Sequence, residues 1–122
     1  MKISRIPACA AALALLGSLP LCVHAHAFLD HAEPKVGATL PASPPEVKIW
    51  FTQNVEPAFS LIEVQDASGK DVDNKDTHRD AKDKSLLIVS LAKLPPGKYS
   101  VVWHVISVDT HRTQGRFQFT VK

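Results

Sequence analysis

Tyr99-Ser100-Val101-Val102-Trp103-His104-Val105 sets a large apolar residue at every second position: Tyr99, Val101, Trp103 and Val105. In an extended chain successive side chains point to opposite faces, so this period of two marks a strand with one buried side. Leu94-Pro95-Pro96-Gly97 immediately before it forces a turn, since proline fixes φ and glycine relieves the next position. Working outward, Phe117, Phe119 and Val121 repeat the pattern in the last strand. Upstream, Val47, Ile49 and Phe51 alternate with Lys48, Trp50 and Thr52. Residues 61–65 are rich in strand formers and end at the turn Asp66-Ala67-Ser68-Gly69, while 86–91 form a short apolar run. Phe28 and Leu29 open a first strand that Pro34 ends. Beyond the first 25 residues no stretch of 11 shows helical periodicity. Short strands at this spacing predict an all-β fold, a seven-stranded Greek-key β-sandwich or barrel of immunoglobulin-like shape. The aromatics Trp50, Phe51, Trp103, Phe117 and Phe119 are expected in its core. Residues 71–84 alternate in charge with almost nothing to bury, and read as a solvated, mobile loop.

The start of the chain reads differently. Lys2 and Arg5 precede the apolar run 8–19, then Pro20 and Leu21-Cys22-Val23-His24-Ala25. A basic start, a short apolar stretch and a small residue before a cut describe a secretory signal. The run is shorter than the roughly 20 residues that span a bilayer. Lipidation at Cys22 is disfavoured by bulky Leu21, so no stable membrane anchor is expected. The predicted organisation is a cleaved signal, 1–25, and one periplasmic domain, 26–122. A cut after Ala27 also fits the small-residue rule and would leave Phe28 first. Removing Lys2 and Arg5 lowers the Lys+Arg count from 14 to 12 and balances 12 Asp+Glu. A neutral domain is a poor partner for nucleic acid or anionic membranes. Cys9 and Cys22 both lie in the leader, so no disulfide is expected.

The remaining chain has no cysteine, no strained Gly-x-Ser-x-Gly turn and no phosphate-cradling glycine loop. Metal binding is the chemistry left. Five of the six histidines lie beyond residue 25: His26, His31, His78, His104 and His111. If the cut follows Ala25, His26 offers its α-amine and its imidazole Nδ1 to one ion. Neutral nitrogen donors in a fixed bite suit the tetragonal geometry of Cu(II), which also stands highest among the divalent metals. The bland alternative is that His26 is a frayed end, or is lost with the later cut. Asp-Thr-His-Arg occurs twice, at 76–79 and 109–112. In extended chain each Asp/His pair would share a face. The second copy follows the aromatic-anchored strand and is favoured, because ordering the first in a charged loop costs entropy. His31 and His104 read as surface residues. The only methionine is Met1, so no soft-donor Cu(I) site is expected.

These residues together resemble the CopC family of periplasmic copper-binding proteins. The resemblance rests on His26-Ala27-Phe28-Leu29, Glu33-Pro34-Lys35-Val36-Gly37, the run 94–103, Val105-Ile106-Ser107-Val108-Asp109-Thr110-His111 and the run 115–121. It implies a Greek-key β-sandwich holding one Cu(II) per chain through His26, Asp109 and His111. Where some members add a glutamate, this chain has Gln53, a weaker ligand, so water could fill that place. Some members carry a Met-rich Cu(I) site, and its absence places the chain with the Cu(II)-only type. The function implied is copper sequestration, buffering or delivery to an inner-membrane copper transporter of the CopD type, by a monomer that is not an enzyme. Two rivals are a copper monooxygenase with a histidine brace and a metal-free immunoglobulin-like interaction module. Binding must displace protons, so affinity should fall steeply below roughly pH 6.

Overall fold

The alternating runs become strands because each can bury one face only against a second sheet. A computed structural model describes residues 27–122, and the predicted signal and His26 lie outside them. Eight strands form: β1 (Leu29–Glu33), β2 (Thr39–Leu40), β3 (Glu46–Phe51), β4 (Leu61–Gln65), β5 (His78–Arg79), β6 (Leu86–Ser90), β7 (Gly97–Ile106) and β8 (Arg112–Val121). A single 3-10 turn, Pro57–Phe59, precedes β4. One sheet has the order β1-β3-β6-β5 and the other β2-β8-β7-β4. The chain is thus an all-β Greek-key sandwich. It has one strand more than the expected seven: six match the runs read from the sequence, and the other two, β2 and β5, are two-residue strands too short to show a period. β2 pairs in parallel with the end of β8, and β5 pairs with β6.

The inward positions are those the period of two selects. Val47, Ile49 and Phe51 of β3 face Ile62 and Val64 of β4 and Tyr99, Val101, Trp103 and Val105 of β7 across one core. Leu87, Val89, Phe117, Phe119 and Val121 complete it. Phe51 and Trp103 meet edge to face at 5.2 Å, and Tyr99 stacks on Phe119 at 5.5 Å. The Tyr99 hydroxyl donates to the Pro95 carbonyl at 2.5 Å, which pins the prolyl turn to the start of β7. Burial pushes the Tyr99 phenol up, so it stays a donor at any physiological pH.

Two expectations change. Trp50 is not core: it shares the outer parity of Lys48, and its ring stacks on His31 at 4.3 Å. Residues 71–84 are not simply a solvated loop. Asp73 accepts from the Val64 amide, Asp76 from both the amide and hydroxyl of Ser90, and Asp80 and Asp83 cap turns of their own. Thr77 bonds Ile62 through its hydroxyl, and Arg79 donates to the Val55 carbonyl. The acidic side chains therefore replace a hydrophobic face as the means of fastening this segment. A charge count cannot reveal that, because it does not show which carboxylates find backbone donors.

Candidate metal centre

β7 and β8 pair from Gly97↔Val121 up to Ile106↔Arg112, so residues 107–111 form the tip of a long hairpin. Ser107, fully buried, closes that tip: its N–H donates to the His111 carbonyl at 3.0 Å. The Thr110 N–H donates to the Ser107 carbonyl at 2.8 Å. Thr110 itself has φ +72°, a left-handed conformation that reverses the chain inside the loop. The tip is also fastened to the segment after β3. Val108 donates to the Asn54 carbonyl at 3.1 Å, Glu56 donates to that of Ile106 at 2.8 Å, and Ser107 bridges Val55.

This frame brings Asp109 Oδ1 to 3.2 Å from His111 Nδ1, with both side chains nearly half exposed. The pairing comes from the turn at Thr110, not from the extended chain that the sequence spacing assumed. The Ser107 hydroxyl donates to the same Oδ1. That hydrogen bond holds the Asp109 carboxyl below the usual carboxylate range, with the His111 side chain adding to the effect. The carboxylate is therefore ionised and ready as an anionic donor.

The donor pair fits a metal ion. Two N/O ligands each about 2.0–2.2 Å from one ion, at near right angles, lie about 3 Å apart, close to the spacing seen. One imidazole nitrogen with one carboxylate oxygen suits a divalent N,O site such as Cu(II). It is an incomplete set, however. Among the described residues no three His, Cys, Asp or Glu side chains come together.

The first described residues run beside this tip. The buried Ala27 gives its carbonyl to the Thr113 hydroxyl at 2.5 Å. Phe28 and Thr52 exchange hydrogen bonds, Phe28 N–H to Thr52 Oγ1 at 3.0 Å and Thr52 N–H to the Phe28 carbonyl at 2.8 Å. Thr113 is two residues past His111, and half-buried Gln53 is the next residue after Thr52. Ala27 therefore lies beside β8, a short way along the strand from the hairpin tip.

The other candidates separate cleanly. In the first Asp-Thr-His copy the Asp76 carboxylate is committed to Ser90, which lowers its pKa, and His78 Nδ1 contacts the Asp76 backbone carbonyl at 2.9 Å instead. Those two side chains do not form a donor pair. His31 sits on the outer face of the first sheet, its Nδ1 2.7 Å from Asp30 Oδ2. His104 is exposed on the outer face of the second, opposite in parity to Trp103, as expected. Sequence reasoning missed Ser107 and Thr113. A serine between Ile106 and Val108 looks like any polar strand residue, and a contact between residues 27 and 113 leaves no local signal.

Known proteins carry the same design. The CopC domain model matches residues 29–122. Protein YobA of Escherichia coli K12 is 39% identical over 101 residues, 82% of each chain. The copper transport protein CutJ of Bacillus subtilis is 31% identical over 110 residues, which is 89% of this chain and 20% of CutJ. The crystal structure of CopC from Methylosinus trichosporium OB3b superposes with a TM-score of 0.76 at 36% identity, covering 80% of this chain and 94% of that one. With a matching two-sheet fold and a family model that spans nearly every described residue, the chain belongs to the CopC family.

Proposed function

We propose that this protein binds one Cu(II) ion in the periplasm through the α-amine and imidazole of His26, the Asp109 carboxylate and the His111 imidazole. Cleavage after Ala25 creates the amine, and the working species is the monomeric domain 26–122. One observation carries the reading: Asp109 and His111 are paired at a hairpin tip, and Ala27 is bonded to Thr113 two residues past His111. The pair supplies two of the four donors in this reading, and the other two would come from His26, one residue before Ala27 in the sequence. Gln53, or a water in its place, is near enough in the chain to complete the coordination, because Asn54 bonds Val108 at the same tip. Membership in the CopC family and the likeness to a copper transport protein support copper as the cargo. The same likeness supports delivery to an inner-membrane transporter of the CopD type, since CutJ is about five times the length of the region it shares. The role is binding and transfer, not catalysis.

The test is a Cu(II) titration of exported protein whose first residue has been sequenced. A version with one glycine added before His26 should bind at least 100-fold more weakly, because its primary amine no longer closes a ring with the imidazole. Equal affinity for the two would remove His26 from the site.

Acid should release the metal while the fold persists. Imidazole takes protons around pH 6.5 and the α-amine is already mostly protonated below about 7.7, so copper affinity falls as pH drops below about 6. Asp109 behaves differently. Its carboxyl is depressed in the folded state, so its contribution to stability is present above the unfolded value of about 3.9. That contribution is lost only as pH falls through the lower, folded value. Titrations of copper affinity and circular dichroism between pH 7 and 5 should therefore diverge. Loss of both signals at one pH would contradict this sequence of protonations.

A further inference from the structure

We infer that Ser107 is the positioning residue of the metal centre: its buried hydroxyl locks the Asp109 carboxylate and the His111 backbone into one ligand geometry before any metal arrives. The inference rests on the Cu(II) reading above and deepens it. Ser107 is wholly buried, yet its Oγ makes contacts that all lead to the two proposed ligands. It donates its single proton to Asp109 Oδ1 and accepts the His111 N–H at 3.3 Å. One hydroxyl thus joins a backbone amide to a carboxylate. The Ser107 main chain closes the same turn from the other side, through its N–H to the His111 carbonyl and its carbonyl from Thr110.

The consequence for the ligands follows from lone-pair geometry. A carboxylate oxygen has two acceptor sites. Ser107 occupies one site on Oδ1, which fixes the Asp109 rotamer, and His111 Nδ1 lies 3.2 Å from that same oxygen. An unheld aspartate on a half-exposed loop would sample several rotamers and lose that freedom on binding. Ser107 removes this cost in advance. It sits on a rigid base, since Val55 bridges it and β7 leads into it from the core. Outer-shell partners of this kind are worth about 10–100-fold in metal affinity.

The experiment compares processed wild type, S107A, S107T, S107V and D109A. Cu(II) affinity is measured by competition, with the paramagnetic resonance spectrum of the bound ion, and the metal-free proteins are assayed for melting and for exchange of the His111 amide. S107A should bind about 10–100-fold more weakly and give a broadened or mixed Cu(II) spectrum. Its metal-free form should melt cooperatively, with faster His111 amide exchange. Threonine keeps the hydroxyl and valine is its isostere, so S107T should bind more tightly than S107V by a similar factor. This pair carries the test should S107A fail to fold. Wild-type affinity and spectrum in S107A, or equal affinities for S107T and S107V, would overturn the role of Ser107 while leaving the site in place. If wild type takes up no Cu(II), or D109A binds as wild type does, the Cu(II) reading itself fails and Ser107 with it.

Discussion

His111→Ala and Asp109→Ala should each lower Cu(II) affinity by more than 100-fold, whereas His78→Ala should leave it unchanged. The three substitutions are comparable in sequence terms, because each removes a member of an Asp-Thr-His-Arg copy. They differ in what the fold does with the side chain. Asp109 and His111 converge to 3.2 Å and remain reachable from solvent. Losing either leaves a single protein donor at the tip, a larger effect than the about 10–100-fold typical of outer-shell changes. The Asp76 carboxylate is engaged by the Ser90 amide and hydroxyl, and His78 Nδ1 is turned to the Asp76 backbone carbonyl. Competition titration against a chelator of known affinity measures all three on one scale. A severe loss in His78→Ala, with His111→Ala intact, would move the site to the first copy.

The second large effect is on stability. Gly115→Ala should destabilise the domain by about 1–3 kcal/mol through overpacking. At about 4–8 °C per kcal/mol for a domain of this size, the melting temperature falls by roughly 4–24 °C. Gly115 pairs with Trp103 across β7 and β8, and the indole fills the space where a side chain would stand. A Cβ built there would come within 2.5 Å of Trp103 Cζ2 and 2.8 Å of Cε2. The ring cannot swing aside, because it is buried and its neighbour Phe51 meets it edge to face. Gly97→Ala is the control. A Cβ at that position meets nothing closer than the Tyr99 hydroxyl at 3.8 Å, so its effect should stay within about 0.5 kcal/mol. Equal melting temperatures for the two alanine variants would show that Trp103 yields more readily than its packing indicates. Because β7 leads from Trp103 to Ser107, Gly115→Ala should also blur the metal-site geometry, though less than loss of a ligand does.

The strands at 47–51, 61–65, 99–105 and 117–121 were legible because burial on one face of a sheet imposes a period of two on neighbouring residues, and that rule is local. The candidate donors were narrowed by composition: with the leader set aside, no cysteine or methionine remains, which leaves histidine nitrogens and carboxylates as the proposed ligands. The preference for Asp109/His111 over Asp76/His78 was argued from context, and the tertiary structure shows how differently the two pairs are arranged. Ser90, 14 residues away, takes Asp76, while Ser107 and the left-handed Thr110 turn Asp109 onto His111. β2 and β5, the outward face of Trp50 and the Thr113 anchor of Ala27 were likewise invisible. Periodicity is written into successive residues, whereas hydrogen bonds across 14 or 86 positions exist only after the two sheets have closed.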